Sequence, residues 1–302
     1  MIEAEGLTKR YGEKVAVQDL SFTAAEGTVT GFLGPNGAGK STTMRMIAGL
    51  DEPTSGSVRV NGKHYRDAPA PMSELGILLE AKAVHTGRSA RHHLLALAQT
   101  NGLGRRRVDE VIEQVGLGAV ARRRVGGFSL GMGQRLGVAS ALLGDPQTVV
   151  LDEPVNGLDP EGVRWIRTML TELAEQGRTV FVSSHLMSEM SQTASRLVVI
   201  GRGRLIADTS VAEFIAMAGG NSVRVRSPEA TELRRLLLGP TVTVTSPEPS
   251  VLDVSGLSAA EIGDVAWRAR LPLHELSARS ASLEEAFMQL TDEAVEYRTE
   301  AA

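Results

Sequence analysis

Val29-Thr30-Gly31-Phe32-Leu33, then Gly34-Pro35-Asn36-Gly37-Ala38-Gly39, then Lys40-Ser41-Thr42-Thr43-Met44 is the stretch on which the fold turns. The short β-branched and apolar run reads as a buried strand and the glycines as a tight loop. Met44, Ile47 and Ala48 fall on one face of a helix predicted over Lys40 to Leu50. The loop satisfies G-x-x-x-x-G-K-S/T in the one setting where that pattern has a mechanism, after a strand and at the start of a helix. Glycines let backbone N–H groups curl around phosphate oxygens, and the helix N-terminus adds a partial charge of about +0.5. Lys40 brings a full charge to the terminal phosphates. Ser41 offers a hydroxyl to Mg²⁺, an ion that keeps several waters and takes few protein ligands. The nucleotide-contacting set expected here is Gly34, Pro35, Asn36, Gly37, Ala38, Gly39, Lys40, Ser41 and Thr42.

Two further apolar strands complete this pattern. Thr148 to Leu151 runs into Asp152-Glu153-Pro154, and Thr179 to Val182 runs into Ser183-Ser184-His185. Continuous apolar strands suit a parallel sheet covered on both faces. Adjacent carboxylates at a strand end can divide the work, with Asp152 on the metal side and Glu153 as the base that polarises an attacking water. His185 ends its strand where a group could reach a terminal phosphate. Between the first two strands, Ala90 to Leu143 is helical by pattern, which predicts a helical insertion at about 81–147 in an α/β domain spanning 1–218.

Composition narrows the alternatives. The 302 residues suit about two domains, and 42% hydrophobic with 23% charged residues is ordinary globular composition. The net charge of -4 leaves no chain-wide basic field for nucleic acid or anionic lipid. With no cysteine, thiol catalysis and thiolate metal sites are excluded, and a cytoplasmic setting is the expectation. Apolar runs stay far below the roughly 20 residues that cross a bilayer. The first residues, Met1-Ile2-Glu3-Ala4-Glu5, carry no export signal, so the chain is expected to stay where it is made.

Taken together, residues 2 to about 218 resemble the ATP-binding subunit of an ABC transporter, a P-loop NTPase fold. Phe128-Ser129-Leu130-Gly131-Met132-Gly133-Gln134-Arg135 stands where that family has its LSGGQ signature helix, Val155-Asn156-Gly157-Leu158-Asp159 resembles the D-loop, and Tyr11 stands where an aromatic stacks on adenine. The resemblance implies ATP and Mg²⁺, a head-to-tail homodimer in which Ser129 and Gly131 serve the partner's nucleotide, and Asp159 of the D-loop among the nucleotide-binding residues. It also implies separate transmembrane permease subunits and a peripheral position on the cytoplasmic face of the cell membrane. Ser129 should cap a helix whose N-terminus binds phosphate. Two departures stand out. Leu130 and Met132 replace the signature's glycine and glutamine, and Glu80 occupies the Q-loop glutamine position, where the family implies a Mg²⁺-side ligand. Both substitutions resemble drug-resistance ATPases of the daunorubicin and bacitracin exporter type. The implied function is therefore to power an exporter. The alternative is a soluble ABC ATPase acting on ribosomes or DNA, whose relatives carry paired cassettes or long coiled-coil insertions that this chain lacks.

After Ala218-Gly219-Gly220-Asn221 the character of the chain changes. Alternating segments around Val223, Thr241–Thr245, Val251–Val254 and Leu273–Leu276, with helices at Glu229–Leu238 and Ser258–Arg270, give a β-α-β-β-α-β order over 222–292, which predicts a ferredoxin-like α+β domain. Its strands VRVRS, TVTVT, VLDVS and LHEL contain no aromatic on which a base could stack, so no nucleic-acid partner is expected. A last helix is expected at Leu283 to Leu290, and 293–302 reads as a flexible tail.

Overall fold

The computed structural model describes residues 1–80, 84–218, 221–240 and 242–291. The chain clusters into two compact units, one of them Met1–Ser210 and the other Val211–Leu290. The helix Val211–Met217 thus groups with the second unit, and the boundary falls at 210/211 instead of near 218. Gly219 and Gly220, the residues that drew the sequence boundary, lie outside the described residues, as do 81–83 at the start of the expected helical insertion and the tail 293–302.

The first unit runs β1 (Ile2–Tyr11), β2 (Lys14–Ala24), β3 (Val29–Leu33), α1 (Lys40–Ile47), β4 (Ser55–Val60), α2 (Pro71–Glu74) and β5 (Leu75–Leu78). It continues with α3 (Ala90–Thr100), α4 (Arg105–Gln114), α5 (Leu130–Leu142), β6 (Thr148–Leu151), α6 (Pro160–Glu175), β7 (Thr179–Ser183), α7 (Met187–Thr193), β8 (Arg196–Gly201) and β9 (Arg204–Ser210). Six strands form one sheet in the order β5-β6-β7-β3-β8-β9, parallel except for the β8/β9 pair. Every residue of β3, β6 and β7 is buried, as strands covered on both faces require. A separate antiparallel sheet, β2-β1-β4, packs against it. Phe22 from that sheet stacks on Phe32 of β3 and Phe181 of β7, with ring centroids 5.9 and 5.4 Å away. Aromatic pairs of this kind contribute about 0.5–1.5 kcal/mol beyond area burial. Helix α1 buries Met44, Met46 and Ile47 in the same cluster. It stops three residues short of the expected Leu50, because Gly49 at φ 65° turns the chain left-handed.

The second unit begins with α8 (Val211–Met217), followed by β10 (Asn221–Arg226), α9 (Ala230–Leu237), β11 (Thr243–Glu248), β12 (Val251–Ser255), α10 (Ala259–Arg268), β13 (Glu275–Ser280) and α11 (Leu283–Thr291). Its sheet is antiparallel throughout, in the order β11-β12-β10-β13, which is the ferredoxin-like arrangement. Val223, Val225, Leu252 and Val254 face Leu233, Leu237, Ile262 and Ala266 of the two helices in one core. Ser258 and Glu261 close a reciprocal capping box at the start of α10. Among the described residues, no helix is long and apolar enough to cross a membrane.

Candidate active site

Because β6, β7 and β3 are adjacent and parallel, their carboxyl ends open on the same edge of the sheet, where ligands bind in open α/β folds. The register is level there, since Leu151 pairs with Val182 and Phe32 with Ser183. The phosphate loop, the paired acids and the Ser-Ser-His segment therefore meet. A cleft of about 440 Å³ is lined by Tyr11, Asn36, Gly37, Ala38, Gly39, Lys40, Ser41, Thr42, Asp152 and Glu153, with Lys14 and Ala16.

Gly39 holds the loop's geometry. It caps α1 at φ 102°, and a Cβ there would lie 2.6 Å from the carbonyl oxygen of Ala16. Lys40 Nζ donates to the carbonyls of Gly34 (2.6 Å) and Pro35 (3.2 Å), which holds the ammonium inside the loop. Burial pulls its pKa down, and the carboxylates of Glu153 and Asp152 oppose that shift. Ser41 Oγ donates to Asp152 Oδ2 at 3.2 Å. A hydroxyl and a carboxylate converging in this way are hard oxygen donors of the kind Mg²⁺ takes. Among the described residues, no group of three or more His, Cys, Asp or Glu could hold a metal alone. An ion at Ser41 and Asp152 would thus draw its other ligands from nucleotide and water.

Glu153 is fixed from three directions. Its N–H donates to Ser183 Oγ (2.9 Å), its carbonyl accepts from Gln134 Nε2 (3.2 Å), and its Oε2 lies 2.7 Å from His185 Nδ1. Ser183 also donates to Asp152. The backbone of Glu153 has φ 50°, a left-handed conformation. The carboxylate is only partly exposed, which leaves one face open to a water in the cleft. Gln134 and Ser183 were not singled out as site residues. Ser183 ends the apolar strand β7 two residues before His185, whereas Gln134 sits in the second turn of α5 and reaches Glu153 only through the tertiary fold.

Ser129 caps α5, accepting from Met132 N–H at 3.2 Å, and Asp159 caps α6, accepting from Gly162 N–H at 2.8 Å. Neither they nor Gly131 line the cleft of their own chain. Glu80 is exposed two residues past β5 and is also absent from that lining. Arg135 of α5 stacks over Trp165 of α6 at 4.2 Å, which joins the signature helix to the helix that follows the D-loop.

Leu130, the departure from the signature's glycine, leans on the D-loop of the same chain. A Cβ at Gly157, which has φ 75°, would run into Leu130 Cγ and Cδ2. Gly157→Ala should therefore destabilise the chain by about 1–3 kcal/mol through overpacking and the left-handed backbone together. Adding Leu130→Gly should recover the steric part and leave the backbone part. Thermal melts of the two single variants and the double variant check this, and strict additivity would separate Leu130 from Gly157.

Residues 17–156 match the ABC transporter family, and residues 221–284 match a family described only as a domain of unknown function. Among curated relatives, the bacitracin transport ATP-binding protein BcrA of Bacillus licheniformis is 41% identical over 68% of each chain. The daunorubicin resistance ATP-binding protein DrrA3 of Streptomyces coeruleorubidus is 36% identical over 77% of this chain and 75% of its own. An uncharacterised ABC transporter ATP-binding protein of Bacillus subtilis, YcbN, is 33% identical over 96% of both, so its likeness extends through the second unit. The solved structure of an ATP binding subunit of an ABC transporter superposes with a TM-score of 0.67 at 26% identity, covering 72% of this chain and 93% of that one. A bacterial ABC transporter cassette solved as a dimer gives 0.64 at 25%, covering 70% and 98%. With a phosphate loop, a paired-acid strand end and a capped signature helix in one fold, the chain belongs to the ABC transporter family, as an ATP-binding and ATP-hydrolysing subunit.

Proposed function

We propose that this subunit works as a head-to-tail homodimer on the cytoplasmic face of the membrane, where it powers an exporter built from separate permease subunits. The observation that carries the reading is the division of labour in one chain. Lys40, Ser41, Asp152 and Glu153 face a common cleft, while Ser129, with a helix N-terminus behind it, does not line that cleft. A second copy, turned so that its Ser129 and Gly131 approach the γ-phosphate, completes each pocket, with Asp159 beside the junction. Two nucleotides are then held between the copies, and closing the dimer moves the attached membrane subunits.

In each pocket the backbone of Gly34–Gly39 cradles the phosphates, Lys40 neutralises the β and γ phosphates, and Tyr11 carries the base. Mg²⁺ would be held by Ser41 and Asp152 and would neutralise charge on the transferred phosphoryl group. Glu153 orients the attacking water and accepts its proton, and His185 fixes the Glu153 carboxylate and faces the γ-phosphate. Glu80 would approach the metal from the Q-loop position.

The names of BcrA and DrrA3 favour antimicrobial or drug-like cargo and favour export over a soluble role at ribosomes or on DNA. Co-expression with a candidate permease of about six spans, each of roughly 20 apolar residues, tests this. The chain should be recovered with the membrane subunit, and its ATPase should rise several-fold when cargo is added. Recovery with ribosomes, and none with any permease, would overturn the exporter reading.

A further inference from the structure

Tyr11 ends β1 at the tip of a hairpin and is 48% exposed as a residue. Such a side chain would ordinarily be free to turn, yet here it is tethered. Its hydroxyl donates to Asp51 Oδ2 at 2.7 Å. The same carboxylate receives a forked pair from Arg45, Nε to Oδ2 at 2.8 Å and Nη2 to Oδ1 at 3.1 Å. Arg45 lies in the last turn of α1, the helix whose first residue is Lys40. Lys9 Nζ sits 5.1 Å from the ring centroid of Tyr11 and is itself held by the Glu52 carbonyl at 2.5 Å. The segment after α1 is stitched to β1 as well, with Thr54 N–H donating to the Thr8 carbonyl at 2.7 Å and Arg10 N–H to Thr54 Oγ1 at 3.0 Å.

We propose that Asp51 and Arg45 are positioning residues that lock the Tyr11 ring to the far end of α1, so that the base platform and the phosphate loop form one rigid gauge for the nucleotide. The inference rests on the reading of Tyr11 as the base platform. Helix α1 has eight residues and spans about 12 Å. It takes the phosphates at its N-terminus, and its last turn fixes the surface on which the base lies. A forked Arg–carboxylate pair supplies orientation as well as attraction, which a single contact from a mobile lysine would not. The lock also persists through ordinary pH. The Arg45 guanidinium, and after it the Tyr11 hydroxyl, hold the Asp51 carboxyl at about 2, and the same bond raises the Tyr11 phenol. A lowered carboxyl pKa gives stability that is present above the ordinary carboxylate range and lost as pH falls through about 2, so the lock is ionised wherever the enzyme works.

The test separates the base from the phosphates. Kd values for ATP and for inorganic tripolyphosphate, both with Mg²⁺, are measured by calorimetry on the full chain and on Tyr11→Ala, Tyr11→Phe and Asp51→Ala. Tyr11→Ala should weaken ATP by roughly 10-fold or more, from loss of stacking. Tyr11→Phe keeps the ring and frees it, and should weaken ATP by about 3- to 10-fold, the size expected for immobilising one side chain. Asp51→Ala should match it, a chain carrying both Tyr11→Phe and Asp51→Ala should be no worse than either, and tripolyphosphate should bind all of them like the parent chain. If Tyr11→Ala weakens ATP while Tyr11→Phe and Asp51→Ala bind normally, the lock is refuted and the platform stands. If Tyr11→Ala has no effect, the platform reading itself fails. Equal losses for ATP and tripolyphosphate in Asp51→Ala would reduce Asp51 to a structural residue and overturn the proposal.

Discussion

Glu153→Gln should bind ATP like the parent chain and lose about 10²- to 10⁴-fold in turnover, the usual worth of a positioned general base. That corresponds to roughly 3–5 kcal/mol of barrier. The substitution is close to isosteric. The amide can still meet His185 Nδ1, now 2.7 Å from the carboxylate, and the bonds from Ser183 and Gln134 fall on the backbone and are untouched. What disappears is the capacity to take a proton from water. Binding without turnover should also accumulate an ATP-held dimer, visible by size-exclusion chromatography with light scattering. Parent-like turnover in the purified variant would remove Glu153 from the chemistry.

Ser129→Arg and Lys40→Ala chains, each inactive alone, should regain ATPase when mixed. Lys40 lines its own chain's cleft, and Ser129 is not part of that lining. A mixed dimer therefore concentrates both lesions in one composite pocket and leaves the other intact. Random pairing of equal amounts puts about half of the dimers in the mixed class, so about a quarter of parental activity per chain should return if one pocket can fire alone. Lys40→Ala itself should show almost no nucleotide binding, since it deletes the full charge held inside the loop. Cysteines placed at position 36, exposed in the phosphate loop, and at position 129 of the other chain should cross-link only with ATP present. Rescue absent despite that cross-link would show that both pockets must be intact. No cross-link at all would place the signature elsewhere.

What the sequence disclosed followed contact distance along the chain. The phosphate loop, the acid pair and the third strand's Ser-Ser-His ending are each contiguous, and the physical reason for each lies within a few residues. The strand spacing then implied a parallel sheet, and the β-α-β-β-α-β order implied the second sheet's arrangement. Contacts made by folding were not legible. The carbonyl of Glu153 is held by Gln134 from 19 residues upstream, and Tyr11 by Asp51 across 40. No local pattern marks either pair. The antiparallel layer β2-β1-β4 is hidden in the sequence because bulges shift the register of β1 against β2 and interrupt the alternation that signals a half-buried strand. Gly219-Gly220 is the conspicuous break in the sequence, although the chain changes unit directly after the edge strand β9, where no glycine or proline marks the place.

With Glu153 as the proposed general base, catalysis and thermal stability oppose each other at the end of β6. Glu153 holds φ 50° with a full side chain, a conformation that costs an L-residue about 1–2 kcal/mol and that glycine adopts freely. Glu153→Ala and Glu153→Gly lose the same carboxylate, so their difference isolates the backbone. The glycine variant should melt about 2–4 °C higher for each kcal/mol released in a unit of this size. The most heat-resistant residue for that position is thus one that cannot do the chemistry, and variants selected for thermal resistance alone would tend to drift toward an inert enzyme.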